Sequence, residues 1–246
     1  MPRFYCPPPL PDTDMFLLPE NAAHHAIRVL RLREGDSVQI FDGQGGECHG
    51  FIESISGKKV AIGRARHVDR DTESPLPVLL AQSLTSSEKM DWIIQKATEL
   101  GATRIQPLDT GRSVARLDAE RAQRRIEHWK QVAISACEQC GRNRMPEIYA
   151  PMDIMAWLEE MRAAACSKFI LLPDGAASLH EQPRPETAAL LIGPEGGFPD
   201  TEARAALLAG FVPIRLGARI LRTETAAIAG LATLQTLWGD FCQQQS

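Results

Sequence analysis

The sequence lacks the features of several large classes of protein. No apolar run approaches the roughly 18 residues that a membrane-spanning helix needs, and Met1-Pro2-Arg3 does not open a secretory signal. The six cysteines have no framework spacing, so we expect reduced thiols in a cytoplasmic protein without a membrane partner. A dinucleotide-binding enzyme is also unsupported, because the Gly-X-Gly-X-X-Gly motif is absent.

Metal ligands are sparse as well. Cys137 and Cys140 form a C-x-x-C pair, which supplies only two of the four ligands that a structural zinc needs, and no second pair is present. His24 and His25 are adjacent, so on a helix they point about 100° apart and cannot share an ion. The sequence therefore predicts no metal site.

Charge is distributed unevenly along the chain. The formal net charge of −4 argues weakly against a nucleic-acid partner. Between Arg104 and Arg144, however, nine basic residues stand against five acidic ones, whereas from Met145 onward there are seven against twelve. A local basic segment matters more to a polyanion than the sum over the chain. An ordinary solvated helix face is the alternative interpretation.

The pattern of apolar residues predicts two domains. Residues 1–72 alternate as short strands separated by glycine turns, which indicates a small β domain. The charged, proline-bearing segment 69–77 is a linker. Residues 73–246 then alternate apolar strands with amphipathic segments such as 88–100 and 118–139. This rhythm is typical of an α/β domain with a parallel sheet.

Two late strands each end at glycine. Ala188–Ile192 is followed by Gly193-Pro194-Glu195-Gly196-Gly197, whose last two glycines can adopt positive φ. Phe211–Leu216 is followed by Gly217 and then by a helix that Thr223 or Thr225 is expected to cap. A third loop, Pro173-Asp174-Gly175, follows the strand 168–172. Ligands of open α/β sheets bind beyond the carboxyl ends of the strands, so these loops predict a ligand site, with ordinary turns as the alternative.

The same residues resemble a known family. The segments 193–197 and 216–226 match the signature of the ribosomal RNA small subunit methyltransferase E family, and 95–101 and 138–142 match further parts of it. Phe4, His25 and the run 29–32 followed by Gly35-Asp36 are similar to its N-terminal module. The resemblance covers nearly the whole chain.

The resemblance implies a fold, an activity and partners. The fold is an α/β SPOUT (trefoil-knotted) methyltransferase domain with a parallel sheet, preceded by a small PUA-like β-barrel domain. The activity is methylation of uridine N3 in 16S rRNA with S-adenosyl-L-methionine as cofactor, by a homodimer that acts on 16S rRNA or the small ribosomal subunit. Periodicity alone predicts only a doubly wound sheet; the knot and the dimer come from the resemblance.

Three sets of site residues follow from the loops, the basic segments and the resemblance. The cofactor is expected to contact Leu172, Ile192, Gly193, Glu195, Gly196, Gly197, Leu216, Gly217, Ile220, Leu221 and Thr225. RNA is expected to contact Arg3, His25, Arg28, Arg31, Arg112, Arg121, Arg124, Arg125 and Arg142. Arg222, or Arg112 or Arg142 from the basic segment, is predicted to stabilise the anion of the reacting base, and Glu224 or Glu195 to accept its proton.

Two other functions stay open at this point. One is a methyltransferase of the same class that acts on a ribose 2′-hydroxyl or on another RNA base. The other is a non-catalytic RNA-binding or assembly factor that retains the cofactor pocket as a scaffold. Glycines in all three loops, together with Arg219 and Arg222 in the last one, weigh against this second alternative.

Overall fold

A computed structural model describes residues 1–10, 13, 15–114 and 118–242, without the side chains of residues 64, 65 and 119. These residues form two compact units. The first comprises residues 1–73 and 134–145, and the second comprises residues 74–133 and 146–246. The sequence predicts that the boundary between the RNA-binding domain and the methyltransferase domain lies between residues 72 and 73. This boundary stays a prediction.

The first unit is built on one twisted sheet. Its strands β1 to β5 are Arg3–Tyr5, Met15–Leu17, Ser37–Phe41, Glu47–Ser56 and Lys59–Val68. They lie in the order β1-β3-β4-β5-β2, with β1 parallel to β3 and the other pairs antiparallel. A short helix, α1 (Glu20–His24), continues into a π-helical turn, His25–Val29. Ala22, Ala23 and Ala26 point from it into the core between β1, β3 and β5.

The second unit contains a parallel sheet. Its strands β6 to β12 are Val78–Ser83, Ala102–Asp109, Glu147–Ile148, Met152–Asp153, Ser167–Leu171, Ala188–Ile192 and Val212–Ile214. The order is β12-β10-β11-β6-β7-β8, and β9 also pairs with β7. All residues of β6 and β11 are buried, as expected for central strands of a parallel sheet that is covered on both faces. The predicted parallel α/β arrangement is confirmed.

Helices connect these strands. They are α2 (Ser87–Glu99), α3 (Ala119–Cys140), α4 (Ile154–Arg162), α5 (Asp200–Leu208) and α6 (Thr223–Trp238). Helix α4 begins at a capped end, because the Asp153 carboxylate accepts hydrogen bonds from the amides of Met155 and Ala156. Among the described residues, none of these helices is both long and apolar enough to cross a bilayer.

Helix α6 packs closely on the centre of the sheet. A Cβ atom added at Gly230 would lie 2.7 Å from Leu190 Cδ2 and 3.1 Å from Leu171 Cδ1, so the helix backbone approaches strands β10 and β11 directly. Leu231 and Leu234 are fully buried in the same helix. This packing brings the first turn of α6 to the carboxyl end of β11, where the predicted ligand site lies.

One local prediction about α6 is wrong. Arg222 occupies the N-cap position, and no side chain caps the helix. The hydroxyl of Thr223 donates instead to the carbonyl oxygen of Gly193, 2.6 Å away, and accepts from Gln82 Nε2 at 3.0 Å. Thr223 is therefore committed to a tertiary contact with the loop after β11, because that loop presents a buried carbonyl that needs a donor.

Candidate cofactor pocket

A cavity of about 750 Å³ opens at the carboxyl ends of strands β10 and β11 in the second unit. Three loops surround it, namely 171–174 after β10, 192–198 after β11 and 220–223 before α6. The first turns of α5 supply the remaining wall through Asp200, Ala203 and Arg204. The parallel sheet explains this convergence, because its strands all end at the same edge.

The loop after β11 is held by side chains from other elements. Ser83 Oγ, at the end of β6, donates to the carbonyl oxygen of Ile192 at 2.9 Å. Thr223 Oγ1 holds the next carbonyl, that of Gly193. A Cβ atom at Gly193 would lie 2.9 Å from Phe198 Cε2, so the ring packs directly on the glycine backbone. The backbone groups that rim the cavity are therefore preorganised.

The two glycines of this loop differ in conformation. Gly197 has φ of 69°, in the left-handed region that favours glycine, whereas Gly196 is not among the glycines with positive φ. The expectation that both adopt positive φ is therefore met only at Gly197. Gly196 instead lies under Arg112, whose Nη1 donates to the Gly196 carbonyl oxygen at 2.8 Å.

The segment that carries Arg112 is itself anchored. Ser113 Oγ accepts from the Thr110 amide at 3.0 Å, which closes a turn after β7. The Gly111 amide donates to Glu202 Oε1 on α5 at 2.6 Å. Burial raises the pKa of the Glu202 carboxyl, although the hydrogen bond from the Gly111 amide acts to lower this pKa. Arg112 thus extends from a hydrogen-bonded turn onto the loop that follows β11.

A charged cluster lies at the rim of the cavity. Lys89 Nζ, from the first turn of α2, is 3.1 Å from Glu195 Oε1 and 3.4 Å from Glu224 Oε2. The Thr85 hydroxyl also donates to Glu195 Oε1. Hydrogen bonding to Glu195 and the charges of both carboxylates raise the pKa of Lys89. Lys89 is therefore held as a cation between two carboxylates.

The two carboxylates differ in their surroundings. Burial raises the pKa of Glu195, but hydrogen bonds from Thr85, its own backbone amide and Lys89 outweigh burial and hold this pKa below its ordinary value. Glu224 Oε2 is buried and has no hydrogen-bond partner among the described residues, because its contact with Lys89 is an ion pair without hydrogen-bond geometry. The Glu224 carboxylate therefore has fewer hydrogen-bond donors around it than the Glu195 carboxylate.

Most of the predicted cofactor contacts lie together. The cavity is lined by Leu172, Ile192, Gly193, Glu195, Gly196, Gly197, Ile220 and Leu221 from the predicted set, and by the predicted catalytic residue Arg222. Leu216 lines a smaller adjoining cavity of about 70 Å³. Gly217 and Thr225 are not among the residues that line either cavity.

Sequence reasoning missed Lys89 and Thr85. Lys89 lies in the first turn of an ordinary amphipathic helix, 106 residues before Glu195 in the chain. Nothing in its local sequence distinguishes it from a solvent-exposed lysine. Thr85 is similarly distant from Glu195, so only the folded chain brings this cluster together.

The predicted RNA contacts divide into two groups in the first unit. Arg3 and Arg142 are buried: Arg3 pairs with Glu47, and Arg142 Nε donates to Glu73 Oε1 at 2.9 Å. Only 5% of Arg142 is exposed. Both guanidiniums are committed to carboxylates of the same unit, which gives them a structural role in this conformation.

The remaining candidates of the first unit lie nearer the surface. His25 is half-buried and meets the Phe4 ring edge-on, with centroids 6.2 Å apart. Arg28 and Arg31 are exposed. Arg31 has φ of 54° and is the single non-glycine residue with positive φ in the described chain. Arg28 and Arg31 are thus accessible to a phosphate.

The arginines of α3 are also largely accessible. Arg121 and Arg124 pair with Asp118 and Glu120 at 3.4 and 3.1 Å, with about two thirds of each arginine side chain exposed. Such surface pairs are weak and exchange readily with other anions. Arg125 is half-buried and donates to the Ser87 hydroxyl.

Metal ligation has no support in the described part of the chain, where no group of three or more histidine, cysteine, aspartate or glutamate side chains is placed to hold an ion. The Cys137 thiol has its pKa raised to about 12, chiefly by burial. A protonated, buried thiol is a poor metal ligand and a poor nucleophile.

Comparison with known proteins decides the family. A model of the RNA methyltransferase domain matches residues 72–235, and a model of the RNA methyltransferase PUA domain matches residues 18–63. Ribosomal RNA small subunit methyltransferase E of Buchnera aphidicola is 34% identical over 98% of this chain and 95% of its own length. The chain belongs to the ribosomal RNA small subunit methyltransferase E family. The Bacillus subtilis member of this family is 30% identical over 91% of the chain.

Solved structures agree with membership of the methyltransferase E family. The enzyme from Neisseria gonorrhoeae bound to S-adenosyl methionine has a TM-score of 0.89 and 36% identity, covering 98% of this chain and 99% of its own. A methyltransferase from Legionella pneumophila in complex with the same cofactor has a TM-score of 0.91 and 38% identity, covering 97% and 98%. The predicted fold class, a SPOUT methyltransferase domain after a PUA-like domain, is confirmed.

Proposed function

We propose that this chain methylates N3 of a uridine in 16S rRNA, using S-adenosyl-L-methionine bound in the cavity at the ends of β10 and β11. The observation that supports the proposal most is the placement of Arg222 and Lys89 in the lining of a preorganised cavity, with Glu224 in an ion pair with Lys89. The proposed cofactor site therefore lies next to the residues that are proposed to deprotonate the base.

The residues of the cavity fit the cofactor. Leu172, Ile192 and Leu221 offer apolar surface to a purine ring, and the backbone around Gly193 and Gly196 offers polar groups to its edge and to a ribose. Acidic side chains in the wall, such as Asp174, suit a cationic ligand. When bound, the cofactor supplies a methyl group on a sulfonium, and the protein supplies alignment.

The chemistry requires that N3 lose its proton. Uridine N3 is a weak nucleophile until it is deprotonated, and a nearby cation favours the anion. Arg222 is exposed at the mouth of the cavity, where it stabilises the negative charge on the base. The Glu224 carboxylate takes the proton from N3, since Glu195 is held by donors and has a lowered pKa. The cofactor, held by Leu172, Ile192 and Leu221, would supply the methyl group for N3.

The residues that bind the RNA backbone are different from the residues that take part in methyl transfer. Arg28 and Arg31 in the first unit, and Arg121 and Arg124 on α3, contact phosphates, because all four are exposed. Within the described part of the chain Arg28 and Arg31 make no ion pair, and the pairs of Arg121 and Arg124 are weak. A uridine in paired RNA must leave its stack before N3 can reach the cavity. Because the substrate is ribosomal RNA, we place the protein in the cytoplasm.

We also assign a homodimer to the functional state. Helix α6 buries Ala227, Leu231 and Leu234 within its own unit but leaves Leu237 39% exposed. Ile228, Ala229 and Ala232 of the same helix are only half-buried. A second copy that covers this apolar face removes it from water.

The function is tested by nucleoside analysis. 16S rRNA from a strain that lacks the gene is digested, and its methylated nucleosides are compared by mass spectrometry with those of the parent strain and of a complemented strain. Loss of N3-methyluridine alone, restored by the purified protein and S-adenosyl-L-methionine, is the expected result. Loss of a 2′-O-methyl or another methylated base supports the first alternative, and no loss supports a non-catalytic assembly factor.

A further inference from the structure

Lys89 is the single described residue that joins the loop of the cofactor cavity to the first turn of α6 through charge. Its ammonium group lies 3.1 Å from Glu195 Oε1 in the loop and 3.4 Å from Glu224 Oε2 on the helix. The lysine side chain is 32% exposed, the two glutamates 31% and 17%. The cluster is therefore partly shielded from water, and its geometry matters more than that of a surface pair.

The two contacts of Lys89 have different consequences. Glu195 is held by the Thr85 hydroxyl and by its own backbone in addition to Lys89. Glu224 makes no hydrogen bond through Oε2 in the described structure. The position of the Glu195 carboxylate is thus fixed by several contacts, whereas that of the Glu224 carboxylate depends chiefly on Lys89.

We infer that Lys89 is a positioning residue for methyl transfer, which holds the Glu224 carboxylate in place at the start of α6 while it anchors the cofactor loop through Glu195. The inference rests on the proposed function, because it assigns the task of Lys89 from the role of Glu224 as the proton acceptor. Lys89 itself touches neither the reacting methyl group nor N3.

Removal of the cation has a defined electrostatic effect. Without Lys89, Glu224 and Glu195 face each other as partly buried carboxylates with no cation between them. Like charges repel, so the Glu224 side chain no longer keeps the position that it has beside Lys89. A displaced carboxylate accepts the N3 proton less readily, and the single-turnover rate falls.

The experiment compares Lys89→Met with Lys96→Met in the full-length protein. Lys96 lies on the same helix and loses an ion pair with Glu99, but it does not line the cavity. Calorimetry with S-adenosylhomocysteine gives cofactor affinity, and single-turnover methylation of 16S rRNA between pH 6 and 9 gives the chemical step. Lys89→Arg serves as the conservative variant.

We expect Lys89→Met to lower the single-turnover rate by roughly tenfold to a hundredfold at neutral pH while cofactor affinity changes by less than about threefold. Lys89→Arg restores most of the rate, and Lys96→Met behaves as wild type.

The outcomes separate this inference from the proposed function. If Lys89→Met keeps the wild-type rate and pH profile while the wild-type enzyme methylates N3, the positioning role is wrong and the function stands. A loss of rate that Lys89→Arg does not repair also overturns the inference, since the lysine then acts only on structure. If the wild-type enzyme itself does not methylate N3, the proposed function fails.

Discussion

The guanidinium of Arg112 donates to the carbonyl oxygen of Gly196 across a distance of 2.8 Å, and so connects the turn after β7 to the loop of the cofactor cavity. Arg112 was predicted as an RNA contact, and that role stays a prediction. The contact that the structure shows is with the cofactor loop. Its effect on the cofactor can be measured without RNA.

Arg112→Ala is expected to weaken binding of S-adenosylhomocysteine by roughly fivefold, equivalent to about 1 kcal/mol for one lost hydrogen bond. The freed loop samples other conformations, and the fraction competent to bind falls. Calorimetry of the variant measures the loss, with Arg124→Ala as a control that removes an exposed arginine elsewhere. Equal affinities of both variants would show that the bond does not order the loop.

The adjacent glycines are expected to respond differently to alanine. Gly197 has φ of 69°, and alanine in this region costs roughly 1–2 kcal/mol, so Gly197→Ala should shift the loop and weaken cofactor binding about tenfold. A Cβ at Gly196 meets Arg112 Cδ at 3.5 Å, an ordinary contact, so Gly196→Ala should bind nearly as wild type. Calorimetry of the pair checks this, and the reverse order of affinities contradicts it.

Arg222→Ala is expected to bind both cofactor and RNA but to lose the chemical step, because the guanidinium favours the N3 anion. Arg222→Lys should rescue little of the rate, since a lysine does not reproduce the planar fork. Raising the pH should partly restore Arg222→Ala. A rate that is equally low at every pH means instead that Arg222 only orients the base, and an unaffected rate excludes it from catalysis.

Arg124→Ala removes an arginine that is proposed to bind RNA, and it serves as the comparison for Arg222→Ala. It should weaken RNA binding and flatten the dependence of affinity on salt, because one phosphate contact is lost. Single-turnover methylation at saturating RNA should stay near wild type. Filter binding over a range of salt concentrations gives the slope, and an unchanged slope removes Arg124 from the phosphate contacts.

The homodimer predicts a sedimentation mass of twice 27.1 kDa at micromolar concentration. Leu237→Asp places a charge on the exposed apolar residue of α6 and should shift the equilibrium toward monomer. Thr236→Asp, on the adjacent exposed position of the same helix, tests whether a charge anywhere on α6 has this effect. A wild-type monomer with full activity would rule the dimer out.

Acid should destabilise the first unit through Glu47. Burial raises the pKa of this carboxyl, but hydrogen bonds from His49 and Arg3 outweigh it and lower the pKa to about 2. A lowered folded-state pKa stabilises the unit at pH values above the ordinary value of 4.5, and the stabilisation is lost as the pH falls toward 2. Urea unfolding across this range measures the effect, which is at most about 3 kcal/mol.

Glu47→Gln supplies the control for that measurement. It should lower stability at neutral pH, because Arg3 keeps a buried charge without its partner, and its stability should depend less on pH between 4.5 and 2. The same pH dependence in wild type and variant would show that other carboxylates are responsible.

The order of elements was largely predictable from local sequence. The predicted strand at 188–192 and the amphipathic segment at 88–100 lie within a residue or so of the observed elements. Their apolar periodicity reflects burial of the element itself, so it is readable from neighbouring residues. The glycine loop at 193–197 was predicted for the same reason, since it ends a fully buried strand.

Local sequence failed where the partner of a side chain is distant in the chain. Thr223 looked like a helix cap, yet its hydroxyl holds Gly193, thirty residues before it. Arg142 looked like an RNA contact, yet it is buried against Glu73. A hydroxyl or a guanidinium has many possible partners, and only the folded chain selects one.

By itself, then, the sequence determined the α/β class, the glycine-terminated strands and, through its motifs, the methyltransferase E family. Tertiary structure decided which charged groups meet: that Lys89 stands between Glu195 and Glu224, and that Arg112 holds Gly196. The physical reason is the distance along the chain over which each kind of interaction acts. Backbone preferences and hydrophobic periodicity act over a few residues, whereas ion pairs and hydrogen bonds between side chains arise only after packing has brought separate strands and helices together.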